Sequence, residues 1–386
     1  MDQSRNGSLR ITEPSRSVLS IVGVATSVTL FAGWSPRGPT DQALRLKSFA
    51  DYERDYGLDA GSLLGYSIKH FFDNGGSDAY ILRVAGADGA AIGPPEVAFH
   101  AALAAAFDTG GAVDRIDLFN IICVPGLTDA VTVAIMQRRA RERRAFLIAD
   151  CAKTDTTATV VGSLAGKSGA DAPNSALYFP WVEAPDPLQG NAPRAFPPCG
   201  FVAGIFARTD ASLGIWKPPA GTEAGLIGAN RPTILVNDAE NGELGLHAVN
   251  CIRSFPGRGT IVFGARTLDG DDQRSSEWKF IPVRRLALFL EESVSRGTRW
   301  AVLEPNAEPL WAAIRLSVST FMEGLFGRGA FQGATPVQAF FVKCDAQTTT
   351  QADIDLGIVN IVIGFAPLRP AEFVILTIAR IAGGGT

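Results

Sequence analysis

The chain has 386 residues, 46% of them hydrophobic and 19% charged, with 41 Gly and 23 Pro. At this length a single hydrophobic core usually divides, so two lobes with accessory segments are expected and wholesale disorder is excluded. Against 39 acidic residues stand 35 basic ones, a net charge of −4 with no long basic run, which excludes a nucleic-acid binder that relies on a global positive field.

The charged fraction falls below the ~25% of ordinary soluble domains, leaving apolar surface for which extensive subunit contact is the simplest outlet. Residues 1–17 are polar, broken by Gly7 and Pro14, and carry one short alternating piece, Leu9-Arg10-Ile11-Thr12. They read as an arm that pairs at the edge of something else. The uncharged stretch 17–36 follows Arg5, Arg10 and Arg16 in the manner of a secretory leader. However, Asp2 and Glu13 interrupt the basic region, and Ser20, Thr26, Ser27 and Thr29 punctuate the apolar one as strands do. No unbroken apolar run reaches about 18 residues, so no membrane span is expected.

A buried strand is predicted over 24–32, closed by Ser35-Pro36-Arg37-Gly38-Pro39. Ser62 caps a helix with Leu64, Ile68, Phe71 and Phe72 on one face, and Asn74-Gly75-Gly76 stops it. Strands at 80–84, 116–124 and 145–149, with a helix over 129–144, complete an α/β lobe. Residues 152–245 turn to Pro, Gly, Ala and Thr with short apolar pieces at 176–182 and 201–207, and read as loop-rich. Two alternating runs, 249–254 and 260–263, flank Pro256-Gly257-Arg258-Gly259 as a hairpin. A helix over 283–295, a strand at 300–303 and a helix over 308–325 follow, the last with Leu310, Ile314, Val318, Phe321 and Leu325 in one stripe. Strands at 339–343, 357–365 and 373–381 close the chain before a glycine tail.

Chemistry is sparse. Gly162-Ser163-Leu164-Ala165-Gly166-Lys167-Ser168 ends like a phosphate-binding loop, but it has three residues between its glycines where that loop needs four, and Gly169, Asp171 and Pro173 deny it a following helix. A flexible surface loop is expected there. Asp269-Gly270-Asp271-Asp272 matches no calcium-loop spacing and reads as a solvated turn. Glu291 and Glu292 are adjacent on a helix and diverge by about 100°, so with Glu304 and Glu308 they read as salt-bridged surface rather than an acid–base pair. His70, His100 and His247 are too dispersed to announce a metal site, and His70 beside two phenylalanines reads as packed. The cysteines Cys123, Cys151, Cys199, Cys251 and Cys344 form no CxxC pair and read as buried, reduced thiols of a cytoplasmic protein. No catalytic residue, cofactor site or metal site is expected.

Several segments, in order over most of residues 18–382, resemble contractile tail sheath proteins. Val24-Ala25-Thr26-Ser27-Val28, Phe71-Phe72-Asp73-Asn74-Gly75-Gly76 and Tyr80-Ile81-Leu82-Arg83-Val84 are similar to the amino-terminal region of that family. Tyr178-Phe179-Pro180-Trp181-Val182 and Gly214-Ile215-Trp216-Lys217-Pro218-Pro219 are similar to its middle. Ser254-Phe255-Pro256-Gly257-Arg258-Gly259, Glu304-Pro305-Asn306, Gln332-Gly333-Ala334-Thr335-Pro336 and Arg369-Pro370-Ala371-Glu372-Phe373 resemble its carboxy-terminal third. The family's usual Tyr-Pro-Gly-Val-Tyr-type opening is not evident.

The resemblance implies a mixed α/β, two-lobed subunit with extended N- and C-terminal arms that add strands to neighbouring subunits. The expected division is an arm at 1–23, an inner domain of 24–95 with 246–369, an inserted outer domain at 96–245, a carboxy-terminal sheath domain from about 275 to 386, and a linking strand and tail at 370–386. It implies a non-enzymatic sheath that polymerises helically around an inner tube and contracts to drive the tube through an envelope. Its partners would be its own copies, the tube protein, and baseplate and terminator or cap proteins, with no nucleic acid and no stable membrane insertion. Assembly in the bacterial cytoplasm, within a virion tail or a phage-like particle released from the cell, follows.

Strand alternation places Phe373, Ile375 and Thr377 on one face of the linking strand and Val374, Leu376 and Ile378 on the other. The arm would use Leu9, Ile11 and Val18. Arg315, Ser319 and Glu323, spaced by four, with Arg328 beyond, are nominated to face the inner tube. The alternatives are a P-loop-like nucleotide-binding protein using Lys167 and Ser168, or a static capsid or tube protein.

Overall fold

The computed structural model describes residues 20–368 and the backbone of 374–381. Leu9, Ile11, Val18 and Phe373 lie outside the described residues.

Eight strands form one sheet: β1 (Thr29–Gly33), β2 (Leu44–Leu46), β3 (Ala79–Arg83), β4 (Ile121–Cys123), β5 (Phe146–Asp150), β6 (Ser175–Phe179), β10 (Val249–Phe255) and β11 (Gly259–Val262). Their order is β11-β10-β6-β5-β4-β1-β3-β2, parallel except where β2 and β11 cap the two edges antiparallel. Successive residues of the inner strands face opposite sides: Leu30, Ile122 and Leu147 enter one core, Phe31, Ile121 and Phe146 the other. This explains why those strands read as continuous apolar runs, since both faces are covered by helices.

Helices α3 (Val97–Phe107), α4 (Ala130–Glu142) and α6 (Asp238–Leu246) cover the first face, with Phe99, Met136 and Leu244 in its core. On the second lie α1 (Phe49–Asp55), α2 (Leu63–Asp73) and α5 (Cys199–Ser212), contributing Tyr52, Phe71 and Phe201. The caps are those the sequence announces: Ser62 Oγ accepts from Gly65 N–H, and Asp129 Oδ2 from Thr132 N–H at 2.8 Å. A small sheet, order β8-β7-β9, is built from β7 (Val182–Asp186), β8 (Ala192–Phe196) and β9 (Arg231–Pro232), and is tied to α2 where Tyr66 donates to Asp186 Oδ1 at 2.7 Å.

The second lobe contains α7 (Ile281–Gly297), α8 (Glu308–Gly327), the short α9 (Pro336–Ala339) and α10 (Gln351–Asp355), and a sheet ordered β12-β13-β14. Its strands are β12 (Phe340–Lys343), β13 (Ile358–Phe365) and β14 (Val374–Ile381), all antiparallel. Val359, Ile361, Ile363 and Phe365 pack from β13 into the core of Leu290, Val294, Val318 and Met322. Helix α7 joins the lobes, with Ile281 and Leu288 in the sheet lobe's core and Leu286, Phe289 and Leu290 in the other.

Two expectations are corrected. Residues 201–207 are the centre of α5, not an isolated apolar piece. Ten of its fourteen residues are buried, and a helix covered on nearly all sides shows no amphipathic period. The strand expected at 300–303 is absent: Arg299–Ala301 is a single 3-10 turn, and Leu303 has φ +75°, which no strand accommodates. The α/β lobe expected from the strands at 24–32, 80–84, 116–124 and 145–149 is present, with β4 paired directly to β1 in one hydrogen-bonded layer.

Candidate assembly surfaces

Strand β14 runs antiparallel to β13 in eight-residue register, from Phe365↔Val374 through Ile361↔Ile378 to Ile358↔Ile381. Thus Val374, Ile375, Leu376, Thr377 and Ile378 of the expected linking strand are in a strand, and they occupy one outer edge of the sheet. At the opposite edge, β12 pairs with β13 alone among the described residues. Both edges carry a row of backbone groups turned away from β13, the geometry to which another strand can add. A connection of residues 366–373 joins β13 to β14, long enough at about 3.3 Å per residue to span roughly 25 Å when extended.

Helix α8 buries Leu310, Ile314, Val318, Phe321 and Leu325, the stripe its sequence shows. The nominated side is not uniform. Arg315 donates to Cys344 O and, at 2.6 Å, to Glu308 Oε1, so its guanidinium is engaged within the chain. Ser319 is half-buried, while Glu323 and Arg328 are exposed, with the Arg328 guanidinium 5.6 Å from the Trp216 ring.

The decoys resolve on packing. Lys167 is buried, not on a flexible surface: its carbonyl accepts from Gln137 Nε2 at 2.7 Å, and desolvation lowers its ammonium pKa below the ordinary value. Only the 3-10 turn Gly162–Leu164 precedes it and another, Ala172–Asn174, follows, so no helix N-terminus collects N–H groups for a phosphate. Asp271 faces His247 at 3.2 Å and Asp272 faces Arg266 at 2.9 Å, an ion-paired turn. Glu292 pairs with Arg144 at 2.9 Å and Arg296 at 2.6 Å, and Glu291 lies 3.6 Å from Arg284. His70 is buried between Phe201, stacked at 3.8 Å, and Phe196, and burial pushes its pKa down to about 3. All five cysteines are free and buried.

Two buried groups escaped sequence reasoning. Arg285 on α7 clasps Asp210 on α5 through two bonds of 2.8 and 2.7 Å, donates to Thr26 O at 2.9 Å, and sits 4.6 Å over the Phe206 ring. Asp150, at the end of β5, accepts from Gly126 N–H and Cys199 N–H, each at 2.9 Å, and burial raises its carboxyl to about 6. Partners 75 and 49 positions apart leave no local signal.

Residues 100–268 match the family model for the phage tail sheath protein central domain, and residues 273–380 that for the phage tail sheath C-terminal domain. A putative prophage major tail sheath protein of Pseudomonas aeruginosa is 28% identical over 184 residues, 47% of this chain and 45% of that protein. The tail sheath protein of Vibrio phage KVP40 is 27% identical over 184 residues, 47% of this chain and 26% of its own length. The chain therefore aligns with less than half the length of these curated relatives. Among solved structures, the sheath complex of an extracellular contractile injection system, PVC, in its contracted state is similar with a TM-score of 0.76 and 29% identity, covering 97% of this chain and 98% of that one. The helical sheath of the anti-feeding prophage, also contracted, gives 0.73 and 27% over 97% and 99%. Two consecutive domain matches, set on a fold shared with sheath subunits along nearly its whole length, place this chain in the phage tail sheath family.

Proposed function

We propose that this chain is a structural, non-enzymatic subunit of a contractile sheath, polymerising helically around an inner tube and shortening to drive that tube through a target envelope. The observation that carries this reading is the likeness, over 97% of the chain, to a sheath complex captured after contraction. Its partners are other copies of itself, a tube protein, and baseplate and terminator or cap proteins, within a virion tail or phage-like particle assembled in the bacterial cytoplasm.

The linking element is β14. A lattice whose subunits slide without detaching needs one contact that survives rearrangement, and a strand on a long connection supplies it. Eight paired residues make roughly eight backbone bonds, each worth about 0.5–1.5 kcal/mol net, whether the receiving β13 belongs to the same chain or to its neighbour. Leu9, Ile11 and Val18 of the amino-terminal arm are proposed to add at a further edge. Glu323 and Arg328, with Ser319 and Arg315 behind them, are proposed to meet the tube through polar pairs weak enough to break during firing.

Removing residues 370–386 is the direct test. The truncated chain is expected to stay soluble and monomeric. Sheath of normal length from it refutes the linking role, and particles whose length is unchanged after acid, urea or envelope contact refute contraction.

A further inference from the structure

The large sheet is wound in two directions from β1, with β3 parallel on one side and β4 parallel on the other. Helix α2 leaves into the core of Phe31, and α3 into the opposite core of Leu30. Such a divergence opens a crevice at the carboxyl ends of the strands, where doubly wound sheets receive ligands. Here it is a cleft of about 380 Å3 lined by Gly33, Trp34, Ser62 and Phe99, with Asp59 and Glu96 also on its walls. One oxygen of each carboxylate is held locally: Gly61 N–H donates to Asp59 Oδ1 at 2.7 Å and Gly93 N–H to Glu96 Oε1 at 2.6 Å. Neither carboxylate has a cationic partner among the described residues. The half-buried Trp34 indole beside two uncompensated carboxylates matches a guanidinium, which is planar, stacks on an indole and bonds carboxylates in pairs.

The same rim of the sheet carries such a group. Strand β10 is parallel to β6, and through β5 and β4 to β1, so its carboxyl end points the same way as theirs. Beyond it the turn at 256–258 projects Arg258, which is exposed and has no anionic partner among the described residues. Gly257 and Gly259 flank it at φ +74° and +72°, a turn that only glycine makes without strain. Arg253 braces the base of the hairpin, over the Phe255 and Phe263 rings at 4.9 and 5.2 Å. Between β10 and β1 lie four strand spacings, about 19 Å, so Arg258 does not reach the cleft of its own chain.

Resting on the sheath reading, we propose that the hairpin tip of one copy enters the β1–β4 cleft of an adjacent copy, setting Arg258 against Trp34, Asp59 and Glu96. Tip and cleft are separate patches, so the contact repeats from copy to copy in one direction, as a helical lattice requires.

Two arms test it on the full chain in assembled particles. Arg258→Cys combined with Glu96→Cys is expected to give a ladder of covalent multimers under oxidation that collapses on reduction, with neither single variant doing so; the native thiols are buried and do not compete. Arg258→Glu is expected to raise the concentration needed for polymerisation about tenfold, and Glu96→Arg in the same chain to restore it. Arg258 is exposed, so the Arg258→Glu monomer's melting temperature should match wild type. Full-length polymers with no ladder, or an Arg258→Glu chain that assembles normally, overturn the pairing and leave the sheath reading intact. A wild-type chain that never polymerises overturns both.

Discussion

Replacing Arg285 by methionine removes one half of the buried clasp between the lobes. Both side chains of the pair are 3% exposed, so Asp210 would be left charged and dry in the last turn of α5, where the helix dipole already disfavours an anion. Breaking such a pair from one side costs about 3–5 kcal/mol, because the remaining charge keeps its desolvation penalty and loses its counter-ion. The Thr26 carbonyl loses its donor as well. At about 2.1 cal/mol/K per residue, 386 residues give an unfolding entropy near 0.8 kcal/mol/K, so the melting temperature should fall by roughly 4–6 °C.

The double variant Arg285→Met with Asp210→Leu removes both charges and fills the space with apolar atoms, and should recover most of the loss. Urea unfolding of wild type, both single variants and the double variant closes the cycle. The expected coupling is at least about 2 kcal/mol, with little change on raising salt, since a buried pair is screened little. If Arg285→Met costs less than about 1 kcal/mol, or the two single effects simply add, the clasp does not hold the lobes together and the reasoning fails.

His70 gives a pH dependence of known sign. Its folded-state pKa of about 3 lies below the ordinary 6.5, so the unfolded chain takes up a proton first as pH falls. The stability from neutral His70 is fully present above about pH 6.5 and is lost towards pH 3, at about 1.4 kcal/mol per pH unit. Going from pH 7 to 5 should therefore cost wild type about 2 kcal/mol more than it costs His70→Phe; equal urea-midpoint shifts in the two proteins contradict this. At the α2–α5 crossing a Cβ on Gly200 would stand 2.3 Å from Ser67 O, a backbone atom that cannot step aside, whereas one on Gly245 of α6 meets nothing within 4 Å. Gly200→Ala should cost about 3 kcal/mol and Gly245→Ala should be neutral or stabilising by up to about 1 kcal/mol, read as melting temperatures. Equal midpoints for the two glycine variants contradict the close packing. Charge reversal at Glu323 together with Arg328 should reduce sheath assembled on tube while sparing the monomer's melting temperature; unchanged assembly counts against the tube-facing surface.

What could be read from the sequence was whatever a short window encodes. Ser62 and Asp129 mark helix starts because the cap is made within three residues, and the 256–259 turn marks a hairpin because glycine is required there. The stripe of α8 is legible because only one side of that helix is buried. Helix α5 was hidden for the opposite reason: covered on nearly every side, it has no polar face to set a period, and its glycines, which admit α2 at close range, read as loop. Val302 and Leu303 resemble strand by composition, yet an apolar pair followed by a left-handed residue has no room for a ladder. The segment 162–168 reads as a surface loop because Gly169, Asp171 and Pro173 deny it a following helix, whereas Gln137 on α4, thirty positions from Lys167, packs against it.

The ownership of β14 belongs to a different class, since its sequence encodes a strand but not whose sheet receives it. In an isolated chain β14 lies beside its own β13 at an effective concentration in the millimolar range, so pairing within the chain is what a monomer favours. Inside a lattice a neighbour's β13 can stand equally near, and the bonds made are the same in number and kind, so their strength does not decide between the two. The choice then falls to strain in the connection and to the contacts formed around it. Lengthening the connection with glycine and serine should therefore leave the monomer's stability almost unchanged, because loop closure costs only about 0.6 kcal/mol per doubling of length. The same insertion should alter the rise or twist of the assembled sheath if β14 bridges two copies. A particle whose helical parameters are indifferent to that insertion would mean that the strand never leaves home.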